Sequence, residues 1–495
     1  MRHPAPAIYT NLFSAGDVVD RRIFPHSDAL LPVVVWTGPT GEPKTAGLQS
    51  FLGDRLNSTT KPKRTIGMTS LVCLVVANMI GAGVYTTSGY SLQALGSPIR
   101  VLAMWAIAAI IAIAGAICYG GLSRQLVRSG GEYLFLSRAV HPLAGFMAGW
   151  ISLLAGFTGA IAFAATTFVN YLPAQLKIDS DEEKMLVAVA LIACAALLHL
   201  FRTGTGAIGQ NILVGIKLVA ISLFIAIGVA SIDWPAQFAA SASAAAPGPG
   251  ISTYANQLMW ISFSFAGFNA SIYVAGEAKL GRRTVRRSML FATLGVSLLY
   301  LLINAIFLFA TATDAIVGRG DIAAVVADHL GGESLGLAVQ LLVALSLATS
   351  VSAMLQAGPR VYVKMAEDGM LPSWLIPGDG VPRTAILVQA ALATLLVCVA
   401  SIQDLLDYTS FLLSVSAAAT VLCLLLPRFR GVPGKRPVIL WPLLPASFGM
   451  VTLGIAVIGC LYRYQQSPTS LLLSLAVVAS GIVVYSLRPN REGLR

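Results

Sequence analysis

Asn78-Met79-Ile80-Gly81-Ala82-Gly83-Val84-Tyr85 interrupts an apolar run that begins near Ile66. A lipid-facing stretch cannot give up its internal hydrogen bonds, so glycines at mid-span point to backbone that lines a cavity. Taken alone, such glycines read as a place where two helices pack closely. A second interruption, Ser262-Phe263-Ser264-Phe265-Ala266-Gly267-Phe268-Asn269, changes that reading. The two breaks open blocks of similar length, 66–231 and 252–427, and the second lies five spans after the first, an odd offset. Corresponding breaks in two oppositely oriented halves indicate an inverted-repeat transporter with its site near the membrane midplane.

The composition agrees with a membrane setting. With 56% hydrophobic and 11% charged residues and a mean hydropathy of +0.77, the chain lacks the polar residues to cover a soluble domain. About twelve apolar stretches are long enough to span, near 66–90, 98–122, 142–171, 185–201, 208–231, 252–276, 289–312, 336–359, 384–401, 404–427, 439–462 and 468–487. The expected fold is therefore an all-α integral membrane protein, with two inverted five-helix repeats plus two extra C-terminal helices at 439–487. Residues 1–65 read as a polar, disordered cytoplasmic tail without a signal peptide, and 488–495 as a short cytoplasmic tail.

The formal charge of +11 is not a nucleic-acid signal. Arginines and lysines gather in alternate loops, among them Lys61, Lys63, Arg64, Arg124, Arg128, Arg138, Arg202, Arg282, Arg283, Arg286, Arg287, Arg428 and Arg430. The opposite loops carry Arg100, Lys177, Lys184, Arg319 and Arg463 beside most of the acidic loop residues. This asymmetry places both termini in the cytoplasm. The cysteines lie in apolar spans without paired spacing and the histidines are scattered, so neither a disulfide framework nor a metal site is expected, and no cofactor is implied.

Several segments then become recognisable. Asn78 to Tyr85 resembles the first-helix motif of the amino acid–polyamine–organocation (APC) family. Ser129-Gly130-Gly131-Glu132-Tyr133 is similar to the Ser-Gly-Gly-x-Tyr pattern after the family's second helix. Phe265-Ala266-Gly267-Phe268-Asn269, with Gly276-Glu277-Ala278-Lys279 and the arginines from Arg282 to Arg287, resembles the sixth helix and its cytoplasmic exit. Gly358-Pro359-Arg360-Val361-Tyr362 through Gly369 is similar to the end of helix 8. Together these cover about residues 66–430 in order. The chain departs from the pattern at Gly276-Glu277, where many members have paired glutamates, and at Gly281, where an Asn-Pro turn is usual. The resemblance implies a LeuT-type amino acid permease with alternating access, embedded in the lipid bilayer of the plasma membrane.

The residues around the breaks suit a zwitterion. A half-helix starting near Val84 offers the amides of Gly81, Ala82 and Gly83, with the positive end of its dipole, to a carboxylate. Carbonyls released around Ile80, Phe263 and Ala266 can accept from an ammonium. Selectivity is expected from Phe263, Ala266, Gly267, Phe268 and Asn269, and by resemblance Phe263 is the gate that closes over substrate. No acid is expected in the pocket, which favours neutral amino acids over basic ones or polyamines. Lys217 stands deep in the fifth span, where a charge costs about 2.5–3.5 kcal/mol on insertion scales. A snorkelling or carbonyl-bonded lysine is the plain reading. By resemblance to proton-coupled members it takes the place of a sodium ion between helices 1 and 8, and burial makes such an amine titratable. Ser350 on helix 8 is its expected neighbour.

The partners that follow are an amino-acid substrate, protons and lipid; the sequence identifies no accessory subunit. An enzyme is disfavoured, because the spans hold no carboxylate pair, ligand cluster or activated nucleophile. An amino-acid exchanger and a non-transporting sensor on the same fold stay open.

Overall fold

The computed structural model describes residues 66–125, 130–201, 207–243, 247–279, 281–378, 381–427 and 437–487. The N-terminal tail, the C-terminal tail and the basic loop residues Arg128, Arg202, Arg428 and Arg430 lie outside these, as does Ser129. The first span comprises α1 (Met68–Met79) and α2 (Ala82–Leu95); α3 (Pro98–Gln125) is the second, and the short α4 (Gly131–Ala139) follows it. The third span joins α5 (Pro142–Ile151), a π-helical turn (Ser152–Gly159) and α6 (Ala160–Asn170). Then come α7 (Asp181–Phe201), α8 (Ala207–Ser231), α9 (Trp234–Ser243) and α10 (Ile251–Ser264). The second half continues with α11 (Arg282–Phe309), α12 (Thr313–Ile316), α13 (Ile322–Glu367), α14 (Arg383–Val399) and α15 (Ile402–Leu422), and ends in α16 (Leu443–Tyr464) and α17 (Thr469–Ser486).

Ten of these segments, counting α1 with α2 as one and α5 through α6 as another, are long and apolar enough to cross a membrane. The other two expected spans fall short of that length. Helix α14 has 17 residues, and the sixth span has 14 residues of α-helix before it breaks. Past the break there is no second α-helical half; two 3-10 turns, Ala270–Ile272 and Ala275–Glu277, carry the chain onward. Gly267, Gly276, Asn269 and Ser271, with the β-branched Ile272 and Val274, offset the helix preference of the four alanines here, so tertiary contacts set the path of this stretch. Span 8 is also longer than expected: α13 is bent at Gly331 and Gly332, the latter at φ 71°, and continues to Glu367 through Pro359.

Local signals place the elements around the site. His141 accepts from the Leu143 amide and Pro142 occupies the first turn of α5. Ser401 and Asp404 form a capping box at the start of α15. Gly96, at φ 63°, ends α2 in the left-handed conformation. Ile66 and the end of the sixth span are stitched together by backbone bonds, Ile66 N to Glu277 O and Lys279 N to Ile66 O, each 3.0 Å. The start of the first span is thereby tied to the end of the sixth.

Candidate functional site

The two interruptions face each other. Between α1 and α2 the backbone of Gly81 is extended, at φ −129° and ψ −157°, so the α-helical ladder stops and restarts within two residues. Across from it Gly267 sits at φ 101°, and a Cβ there would lie 2.7 Å from the Asn78 carbonyl oxygen. Both facts require glycine. A Cβ at Gly83 would come within 2.4 Å of Ser264 Oγ, whereas one at Gly81 would meet nothing within 4 Å. Gly83 therefore permits close approach of the two segments, and Gly81 opens onto empty space.

That space is a cavity of about 180 Å³. Gly81, Ala82, Gly83, Phe263, Ala266, Gly267 and Asn269 all border it, and Ile80, Lys217 and Ser350 do not. The π-helical turn contributes Ser152, Gly156 and Phe157; such turns carry a local bulge that reshapes one wall of a helix. Phe263 meets Phe163 edge-on with ring centroids 5.7 Å apart, at the boundary of the cavity. The walls are mainly apolar, with polar groups from Asn78, Glu132, Asn269, Tyr273 and Thr452 and from several serines.

Helix α2 begins at Ala82, so the amides of Ala82, Gly83 and Val84 have no preceding helical turn to bond and carry the positive end of the dipole. The Gly81 amide is not among them: it donates to Met79 O at 2.9 Å, closing a tight turn. The expected set of free donors thus shifts by one residue, from 81–83 to 82–84. Of the carbonyls, Ile80 O accepts from Lys217 Nζ at 3.1 Å, and Phe263 O accepts from the Ala266 amide at 2.8 Å. Lys217 is buried, and among the described residues that carbonyl is the hydrogen-bond partner of its amine. Ser350 does not bond the lysine. Its hydroxyl turns back to Ser346 O at 2.9 Å, a frequent habit of serine in helices, and Ser352 pairs with His199 at 2.9 Å.

Two residues missed in the sequence organise the site. The Tyr300 hydroxyl of α11 lies 2.5 Å from Met79 O and 3.1 Å from Ser264 O, so one side chain bridges both breaks. Its ring is held edge-on by Trp105 and Phe265, at 5.4 and 5.1 Å. A tyrosine inside the apolar run Leu298-Leu299-Tyr300-Leu301 was the available signal. The other is Glu132. It borders the cavity and accepts from Asn269 Nδ2 at 3.0 Å, and also from Tyr119 and Ser416. The expectation of a pocket without an acid is therefore corrected. Glu132 sits on α4, outside the spans, and distant helices fold around it. Burial pushes its carboxyl above the ordinary range, and the three hydrogen bonds oppose that shift.

Comparison with known proteins extends over most of the chain. A family model described as "Amino acid permease" matches residues 66–483. Human "Asc-type amino acid transporter 1" is 24% identical over 434 residues, covering 86% of this chain and 82% of the relative. Human "Large neutral amino acids transporter small subunit 2" is 26% identical over 444 residues, covering 86% and 80%. The "b(0,+)-type amino acid transporter 1" of Oryctolagus cuniculus is 26% identical over 393 residues, covering 77% and 79%.

Proposed function

The chain belongs to the amino acid permease family, and from that premise we propose that it imports neutral amino acids across the plasma membrane by alternating access, coupled to protons through Lys217. The observation that carries this reading is the cavity between the facing breaks. At one edge it has a helix amino end, which suits a carboxylate, and elsewhere apolar walls and Phe263 suit an uncharged side chain. The relatives named above are by title amino acid transporters, one of them for large neutral amino acids, which supports the substrate class.

Glu132 does not act as the partner of a cationic side chain in this proposal, because protein donors already occupy both of its oxygens. Lys217 supports the coupling. An ammonium has three N–H groups, and a single carbonyl meets it here, so a neutral amine is satisfied at this place more readily than a charged one. Losing its proton leaves the bond to Ile80 intact and removes a charge from beside the break. The two blocks 66–231 and 252–427 then act as inverted repeats, with both termini in the cytoplasm.

The test is a panel of radiolabelled amino acids in proteoliposomes, with and without an imposed pH gradient. Alanine, serine, threonine or larger apolar amino acids are expected to accumulate, and to displace label better than arginine or lysine. Stronger displacement by arginine would overturn the substrate class, and binding without accumulation would mark a sensor.

A further inference from the structure

Glu132 has a place in the fold that the transport reading does not use. It is 4% exposed and borders the cavity from α4. Three elements far apart in sequence converge on its carboxyl: Tyr119 of α3 and Asn269 beyond the second break on Oε1, and Ser416 of α15 on Oε2. Among the described residues no lysine, arginine or histidine pairs with it. The titratable groups around it are Tyr119 and Tyr273 of the segment after the break. Asp404 and Asp407 lie near the opposite end of α15, and the stem of Arg286 from α11 packs at Gly120, next to Tyr119. The π-helical turn after α5 brings the Ser152 hydroxyl to 3.5 Å from that of Tyr273.

The donors differ in what they can do when the carboxyl gains a proton. The Asn269 amide nitrogen only donates, while the two hydroxyls donate or accept. A protonated Glu132 can keep its carbonyl oxygen toward Asn269 and give its O–H to Ser416. The Ser416 hydroxyl then turns to the carbonyl four residues back, as Ser410 and Ser474 already do. No buried donor is stranded in either state. Hydrogen bonds to an ionised carboxylate are roughly twice as strong as neutral ones, so the proton weakens the tie between Asn269, α3 and α15.

We infer that Glu132, at the border of the cavity, is a proton-binding site whose ionised form clamps the segment after the second break to α3 and α15 and whose protonated form releases it. This deepens the transport reading and rests on it for the consequence, opening toward the cytoplasm, but proton binding itself does not depend on transport. Two measurements therefore separate them. Infrared difference spectra of the purified full-length protein, taken while titrating pH, are expected to show the carbonyl stretch of a buried protonated carboxylic acid. That band should be lost in Glu132→Gln, shifted in Glu132→Asp and retained in Asp407→Asn. In proteoliposomes, counterflow of labelled amino acid should vary with internal pH for the wild type and become independent of it in Glu132→Gln. A titrating band that persists unchanged in Glu132→Gln, or counterflow whose pH profile is the same in wild type and variant, overturns the proposal. If no amino acid moves at all, the transport reading fails while the spectroscopic result still decides the proton site.

Discussion

Gly81→Ala should separate binding from folding at this site. The backbone of Gly81 is extended and outside the left-handed region, so alanine adopts it without strain, and its Cβ would meet no atom within 4 Å. The methyl instead enters the cavity beside the amides of Ala82, Gly83 and Val84, where the substrate carboxylate is proposed to sit. Hydrogen bonds to a charged group contribute about 1.5–3 kcal/mol each, and losing one corresponds to an affinity roughly 10- to 100-fold weaker. Thermal unfolding of the detergent-solubilised protein should be unchanged. Gly83→Ala should behave differently: its Cβ would lie 2.4 Å from Ser264 Oγ and 3.1 Å from the Ser264 backbone, which forces the two breaks apart. Overpacking of this kind costs about 1–3 kcal/mol, so that variant should lose stability as well as affinity. Scintillation proximity binding of a labelled amino acid, run beside the unfolding curves, reads both effects. Wild-type affinity in Gly81→Ala would place the carboxylate elsewhere.

Tyr300→Phe removes the hydroxyl shared by Met79 O and Ser264 O. Because Met79 O keeps its bond from the Gly81 amide, the stability loss should be about 1 kcal/mol, measurable as a fall in unfolding midpoint together with weaker binding; an unchanged midpoint and affinity would deny the bridge a role. Asp407 accepts from Arg463 at 2.5 Å and from Trp260 and Asn256 at 2.6 and 3.2 Å, tying α15 to α16 and α10. Asp407→Ala leaves the nearly buried guanidinium without its carboxylate and should cost about 3–5 kcal/mol in thermal unfolding, and a midpoint equal to wild type would show that the pair is dispensable.

The breaks were readable because glycine in mid-span is a local signal, and their correspondence in two halves is a pattern along the chain. Lys217 was readable for the same reason, as a charge inside an apolar run. What escaped depends on contacts between distant segments. Glu132 belongs to a loop motif in the sequence, and only the convergence of Tyr119, Asn269 and Ser416 turns it into part of the cavity. Tyr300 reaches the breaks from a helix that opens with a basic cluster and otherwise reads as a plain span. Ser350 shows a different difficulty: the carbonyl of a hydroxyl's own helix is its nearest acceptor, and it took the bond expected to face the lysine. The second half of the sixth span failed as a helix because apolar length alone does not distinguish α-helix from successive 3-10 turns held by neighbours.

The coupling claim rests on Lys217, whose amine is bonded to the carbonyl at the first break. Replacing it with alanine removes a costly group from the membrane, so Lys217→Ala should insert and fold. Uptake of a neutral amino acid into proteoliposomes, with an inward proton gradient on or off and sodium absent, measures what the amine does. The wild type should accumulate substrate only with the gradient, and Lys217→Ala should equilibrate substrate without accumulating it. Gradient-driven accumulation that survives in Lys217→Ala would contradict the account and leave exchange as the better description of transport.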